Sequence, residues 1–76
     1  MTNVKRNKYF VLIHFTFFDD LITYRFDREC TDLDSMISYT RTWINNYAYK
    51  YGNVSAIEIY EVKKGCKDLV YDKYYD

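Results

Sequence analysis

The sequence predicts an α+β domain of ββαββ order, a four-stranded antiparallel sheet in spatial order 2-1-3-4 with one helix packed on one face. Three observations carry this. Residues from Lys8 to Phe18 form a run that is apolar on both alternating faces, as a central strand requires. An alternating segment suited to a hairpin follows it, and two further strand-like runs joined by a short Gly-containing loop come near the C-terminal end. Between them, apolar residues recur at intervals of three and four over about 20 residues.

The first strand, centred on Tyr9 to Phe17, is rich in aromatic and β-branched residues, types that fit a pleated surface. Asp19 and Asp20 interrupt it and read as a two-residue loop. Leu21 to Glu29 then sets Ile22, Tyr24 and Phe26 against Thr23, Arg25 and Asp27. With that loop, Phe17 faces Ile22, Phe15 faces Tyr24 and Ile13 faces Phe26, and His14 stands opposite Arg25. Thr31 followed by Asp34 resembles a capping box with a shortened acid, and Asp32 and Asp34 suit the positive end of a helix. Leu33, Met36, Ile37, Thr40, Trp43, Ile44, Tyr47 and Tyr51 form its apolar stripe, and Gly52 supplies the left-handed stop. Val54 to Lys63 and Asp68 to Tyr75 read as the last two strands. A Gly65–Cys66 loop would pair Val62 with Leu69, Tyr60 with Tyr71 and Glu58 with Lys73. The sheet order follows because the strand apolar on both faces belongs in the middle and crossovers are right-handed. A swapped dimer, with the helix on a partner's sheet, is the alternative arrangement.

The chain is one domain of 76 residues, with 1–7 a polar lead-in free to move; it carries Lys5 and Arg6, and Lys8 follows. A domain this short buries only about 60% of the surface its unfolded form exposes. Its ten Tyr, five Phe and one Trp are an economical way to bury area. Eleven basic and eleven acidic residues cancel, so no net field draws the chain to nucleic acid or an anionic membrane. No apolar run reaches the ~18 residues of a membrane span and no cleavage site follows the apolar stretch, which leads us to expect a cytoplasmic protein.

The chemistry-bearing motifs sought are a phosphate loop, an HExxH helix, a nucleophile elbow and a Cys/His ligand set, and the chain has none of them. Cys30 and Cys66 are expected as free thiols, about two strand spacings of ~4.8 Å apart, and no metal or cofactor is implied. Asp19 and Asp20 read as turn formers rather than cation ligands. His14 is the one side chain whose ordinary pKa suits proton transfer near neutrality, but no nucleophile lies near it in sequence. The expectation is therefore a protein that binds rather than one that catalyses.

The expected binding surface is the sheet face without the helix, carrying Phe10, Leu12, Phe18, Leu21, Tyr60, Val62, Leu69, Tyr71 and Tyr75. We take Phe10, Leu12, Arg25, Tyr60, Val62, Tyr71 and Lys73 as its partner-binding residues, since aromatic patches rimmed by charge are what protein interfaces favour. The occupant is either another protein or a second copy in a homodimer. A single-stranded nucleic acid stacked on Phe10, Tyr60 and Tyr71 is the alternative, disfavoured by zero net charge. The Tyr, Lys, Asn and Ile richness and the hairpin-helix-hairpin plan resemble the small accessory proteins of phages and mobile elements of low-GC bacteria. Those include anti-CRISPR inhibitors of host defence. The resemblance spans the chain without a diagnostic motif, and it implies a non-enzymatic inhibitor or modulator that docks on a host protein or defence complex.

Overall fold

A computed structural model describes residues 6–75. Four strands form one sheet in the order β2-β1-β3-β4, with every neighbouring pair antiparallel. They are β1 (Asn7–Phe17), β2 (Asp20–Cys30), β3 (Asn53–Lys63) and β4 (Cys66–Tyr74), and a single helix, α1 (Leu33–Tyr47), joins the two hairpins. This is the predicted ββαββ architecture. Of the polar lead-in, Asn7 is already the first residue of β1, and 1–5 lie outside the described residues.

The core lies between the sheet and α1. Val11, Ile13 and Phe15 of β1, Ile57 and Ile59 of β3 and Met36 of α1 are all buried to 2% exposure or less. Trp43 lies over the sheet, stacked on Tyr24 at 4.8 Å between ring centroids and on Tyr51 at 5.8 Å. Thr40 is the buried polar side chain among these residues; its hydroxyl donates to the Met36 carbonyl at 2.8 Å, so its burial leaves no unpaired group.

The helix begins one residue later than the Thr31 box implies. Asp32 is the cap, its carboxylate accepting from the Ser35 N–H at 2.8 Å. Those hydrogen bonds, first from the Ser35 backbone and then from its side chain, hold the Asp32 carboxyl below its ordinary pKa of 3.8. The α-helix also ends sooner than the stripe implies, at Tyr47, and a 3-10 turn over Ala48–Lys50 completes the span. Gly52 follows at φ 122 and turns the chain into β3. A Cβ there would stand 2.7 Å from the Thr16 carbonyl oxygen, so close approach as well as backbone conformation calls for glycine.

Both hairpin registers differ from the predicted ones. The first loop is Phe18–Asp19, not Asp19–Asp20, and Phe17 pairs with Asp20, Phe15 with Ile22, Ile13 with Tyr24 and Val11 with Phe26. A slip of two residues preserves the faces, so apolar matching alone does not separate the two registers. The observed one gives fully buried Val11 an apolar neighbour, where the predicted one would oppose it to Arg28. In exchange Phe18 sits at φ 57, a conformation that bulky residues seldom adopt. His14 consequently faces Thr23, and Arg25 faces Leu12.

The second loop is Lys64–Gly65, with both residues at positive φ as in a type I′ turn, rather than Gly65–Cys66. Lys63 pairs with Cys66 and Tyr60 with Leu69, and an irregularity at Val70 then shifts the register so that Ile59 pairs with Tyr71. This bulge puts Val70 and Tyr71 against the core, which a regular strand would not achieve for two consecutive residues. Tyr71 and Lys73 therefore belong to the helix side of the sheet, and the predicted Tyr60–Tyr71 and Glu58–Lys73 pairs are replaced by Tyr60–Leu69 and Glu58–Asp72. Tyr75 lies by Lys73, whose ammonium stands 5.0 Å from its ring centroid, so it too leaves the open face.

Candidate protein-docking face

Alternation along the strands assigns the face opposite α1. β1 supplies Phe10, Leu12 and His14, β2 supplies Leu21, Thr23, Arg25 and Asp27, β3 supplies Glu58, Tyr60 and Val62, and β4 supplies Lys67, Leu69, Asp72 and Tyr74. Among the described residues no element covers this face.

Its centre is a stacked column. Phe10 and Tyr60, directly opposite each other on β1 and β3, stack at 4.7 Å with their planes 12° apart. The Arg25 guanidinium lies 4.2 Å from the Phe10 centroid on the other side, and the Lys67 ammonium stands 5.8 Å away. Cations over a ring face are attracted by its quadrupole, so the ring holds the charges in place while they cover it. Phe10 is accordingly only 5% exposed, a correction to the open aromatic surface predicted from sequence. The face screens its own central ring.

Polar contacts fix the surrounding side chains. Arg25 Nε donates to Asp27 at 3.1 Å. The Tyr60 hydroxyl donates to Glu58 Oε1 at 2.8 Å, and that bond to a carboxylate, followed by a desolvation contribution, raises the Tyr60 pKa above 10.0. The other Glu58 oxygen is 3.6 Å from His14 Nε2, while His14 Nδ1 is 2.9 Å from the Thr23 hydroxyl. One chain of contacts thus runs from Thr23 through His14, Glu58 and Tyr60 to Phe10, Arg25 and Asp27, across three strands.

The Thr23–His14–Glu58 part has the residue types of a nucleophile, base and orienting acid, but its geometry is poor for that chemistry. The Glu58 contact is longer than a hydrogen bond, and the backbone N–H groups of β1 are engaged in ladders on both sides. Depressions in the surface lie at strand ends, one lined by Lys8, Tyr9, Asp27, Arg28, Glu29 and Val62, another by Thr16, Asn53, Val54, Ser55 and Tyr75. Among the described residues, no three His, Cys, Asp or Glu side chains group so as to hold a metal ion. Cys30 is buried, with its Sγ 3.5 Å from Met36 Sδ, and Cys66 is exposed; both are free thiols.

Of the residues proposed from sequence, the structure brings together Phe10, Leu12, Arg25, Tyr60 and Val62 and sends Tyr71 and Lys73 to the other side. Contact area available to a partner comes from Leu21 at 81% exposure, Tyr74 at 69%, Leu69 at 51% and Val62 at 37%. Glu58 and Lys67 were missed as members of the column. The signal for Glu58 lies in the sequence, since residues two apart on a strand share a face and Glu58–Tyr60 repeats the spacing of Arg25–Asp27.

Comparisons with protein-family models, curated proteins and solved structures find no match for this chain. Among the described residues no helix is long and apolar enough to cross a membrane.

Proposed function

We propose that the protein is a non-enzymatic binding module that docks on a larger protein through its open sheet face. The Arg25–Phe10–Tyr60 column carries the reading. It is a stiffened aromatic and arginine centre of the kind that dominates protein interfaces, surrounded by exposed Leu21, Val62, Leu69 and Tyr74. Side chains already locked by stacking and hydrogen bonds lose little further freedom when a partner covers them. The likeness to small phage accessory proteins makes a host enzyme or defence complex the partner class, and an inhibitor or modulator the role.

Capture from a lysate of a low-GC bacterium, at low and at high salt, tests this. An interface built on aromatic and aliphatic contact holds its partner as salt rises, and Tyr60→Ala/Leu69→Asp abolishes capture. Single-stranded nucleic acid is the second reading, favoured by the Arg25 and Lys67 cations beside stacked rings. It requires retention that falls steeply with salt and is removed by nuclease. That result refutes protein docking.

A further inference from the structure

The two edges of the sheet are built differently. β4 is interrupted by the irregularity at Val70 and carries Lys67 and Lys73, devices that discourage a further strand from pairing. β2 keeps unbroken register with β1 over its eleven residues and has no Lys, and its charges, Asp20, Arg25, Asp27, Arg28 and Glu29, are of both signs and can be matched by a second copy of the same edge. Phe17 and Asp20 close a two-residue loop and so form a hydrogen-bonded pair. Alternation from that pair turns the backbone groups of Ile22, Tyr24, Phe26 and Arg28 inward to β1. Those of Leu21, Thr23, Arg25 and Asp27 turn outward. Among the described residues nothing pairs with them.

We propose that this edge pairs antiparallel with the β2 edge of a second copy of the chain, with Tyr24 on the two-fold axis. A two-fold axis normal to the sheet requires opposed residues to share a face, so the register must centre on a residue rather than between two. Centring on Tyr24 sets Asp20 of each copy against Arg28 of the other. On the same side, Ile22, which is 38% exposed, meets Phe26. Thr23 opposes Arg25 and Leu21 opposes Asp27 on the open side.

The neighbouring registers are poorer. Centring on Arg25 opposes two guanidinium groups, and centring on Thr23 brings Asp19 against Asp27. Centring on Phe26 pairs Arg25 with Asp27 across the axis, but Arg25 already holds its own Asp27 at 3.1 Å, and Leu21 falls outside the pairing with β2. The Tyr24 register yields one continuous eight-stranded sheet with both helices on one side and both open faces on the other. The proposal stands on the edge alone and does not depend on what the open face binds.

Light scattering across micromolar to millimolar concentration, with amide hydrogen exchange on the same samples, tests it. The expected result is a monomer–dimer equilibrium in which the amides of Leu21, Thr23, Arg25 and Asp27 gain protection as dimer forms. Asp20→Arg creates two like-charge contacts per dimer and raises the dimer Kd by about tenfold or more, and adding Arg28→Asp restores pairing. Arg28 also lies 3.8 Å from the Tyr39 ring centroid, so if the double variant loses its native far-UV circular dichroism, Asp20→Arg and the exchange pattern decide alone. A monomer at all concentrations overturns the proposal. So does a dimer that is indifferent to Asp20→Arg or leaves those four amides unprotected.

Discussion

Trp43→Ala removes the side chain that ties α1 to the first hairpin and to the Tyr51 segment that leads into β3. Its ring stacks on Tyr24 at 4.8 Å, Tyr51 at 5.8 Å and Phe26 at 5.9 Å, and tilts against Tyr47 at 5.5 Å and Phe15 at 6.4 Å. Truncating a buried Trp costs about 3 to 5 kcal/mol, and because Trp43 is only half-buried the lower end applies, about 3 kcal/mol. A chain of this length has a stability of roughly 4 to 11 kcal/mol in total, so the loss is a large share of it. In a domain of this size it corresponds to a fall in Tm of about 12 to 24 °C. Far-UV circular dichroism in a urea series is the assay, since the variant keeps no tryptophan to report by fluorescence. Trp43→Phe, which keeps a ring in contact with Tyr24, should lose about 1 kcal/mol. A loss below about 1 kcal/mol for the alanine variant would refute the claim that this cluster joins helix and sheet.

Gly52→Ala should cost about 2 to 4 kcal/mol, because φ 122 and the 2.7 Å approach to the Thr16 carbonyl both oppose a Cβ; Gly65→Ala, at φ 83 in open space, should cost only about 1 to 2 kcal/mol, and equal losses in urea unfolding would contradict the close approach. Asp32→Ala should lower Tm at neutral pH. The folded-state pKa of Asp32 is depressed, so its contribution is present above the unfolded value near 3.8 and is lost as pH falls through the folded value; Asp32→Asn should keep the cap while removing that acid step from a Tm-against-pH profile. Tyr60 is an acid whose folded-state pKa is raised, so its contribution is complete below 10.0 and is lost as pH rises through the folded value. The difference between tyrosinate absorbance titrations of wild type and Tyr60→Phe should therefore lie above 10.0 and move down in Glu58→Gln; a difference curve at 10.0 in both backgrounds would rule out the Glu58 hydrogen bond.

The sheet order was legible because Val11, Ile13 and Phe15 on one side, and Phe10 and Leu12 on the other, allow β1 no place but the middle. The helix was legible from the Met36, Thr40 and Trp43 stripe. Registers were not. Pairing Phe15 with Ile22 or with Tyr24 satisfies the same alternation, and the choice is made by the distant requirement that Val11 be buried against an apolar neighbour. The bulge at Val70 had no local signal, since Leu69, Val70 and Tyr71 are all plausible strand residues, and one extra residue there moves Tyr71 and Lys73 across the sheet. Composition showed that the open face is aromatic. It did not show that Arg25 and Tyr60 enclose Phe10, because that depends on side chains from three strands meeting.

The claim that the open sheet face is the docking surface is tested most directly by setting one face against the other in a single binding measurement. Partner capture is compared for Tyr60→Ala/Leu69→Asp, on the open face, and Arg41→Glu/Asn45→Lys, exposed on α1, with both variants first confirmed folded by circular dichroism. Our account predicts that the open-face variant loses the partner and the helix variant keeps it. Capture retained by the open-face variant and lost by the helix variant would contradict it.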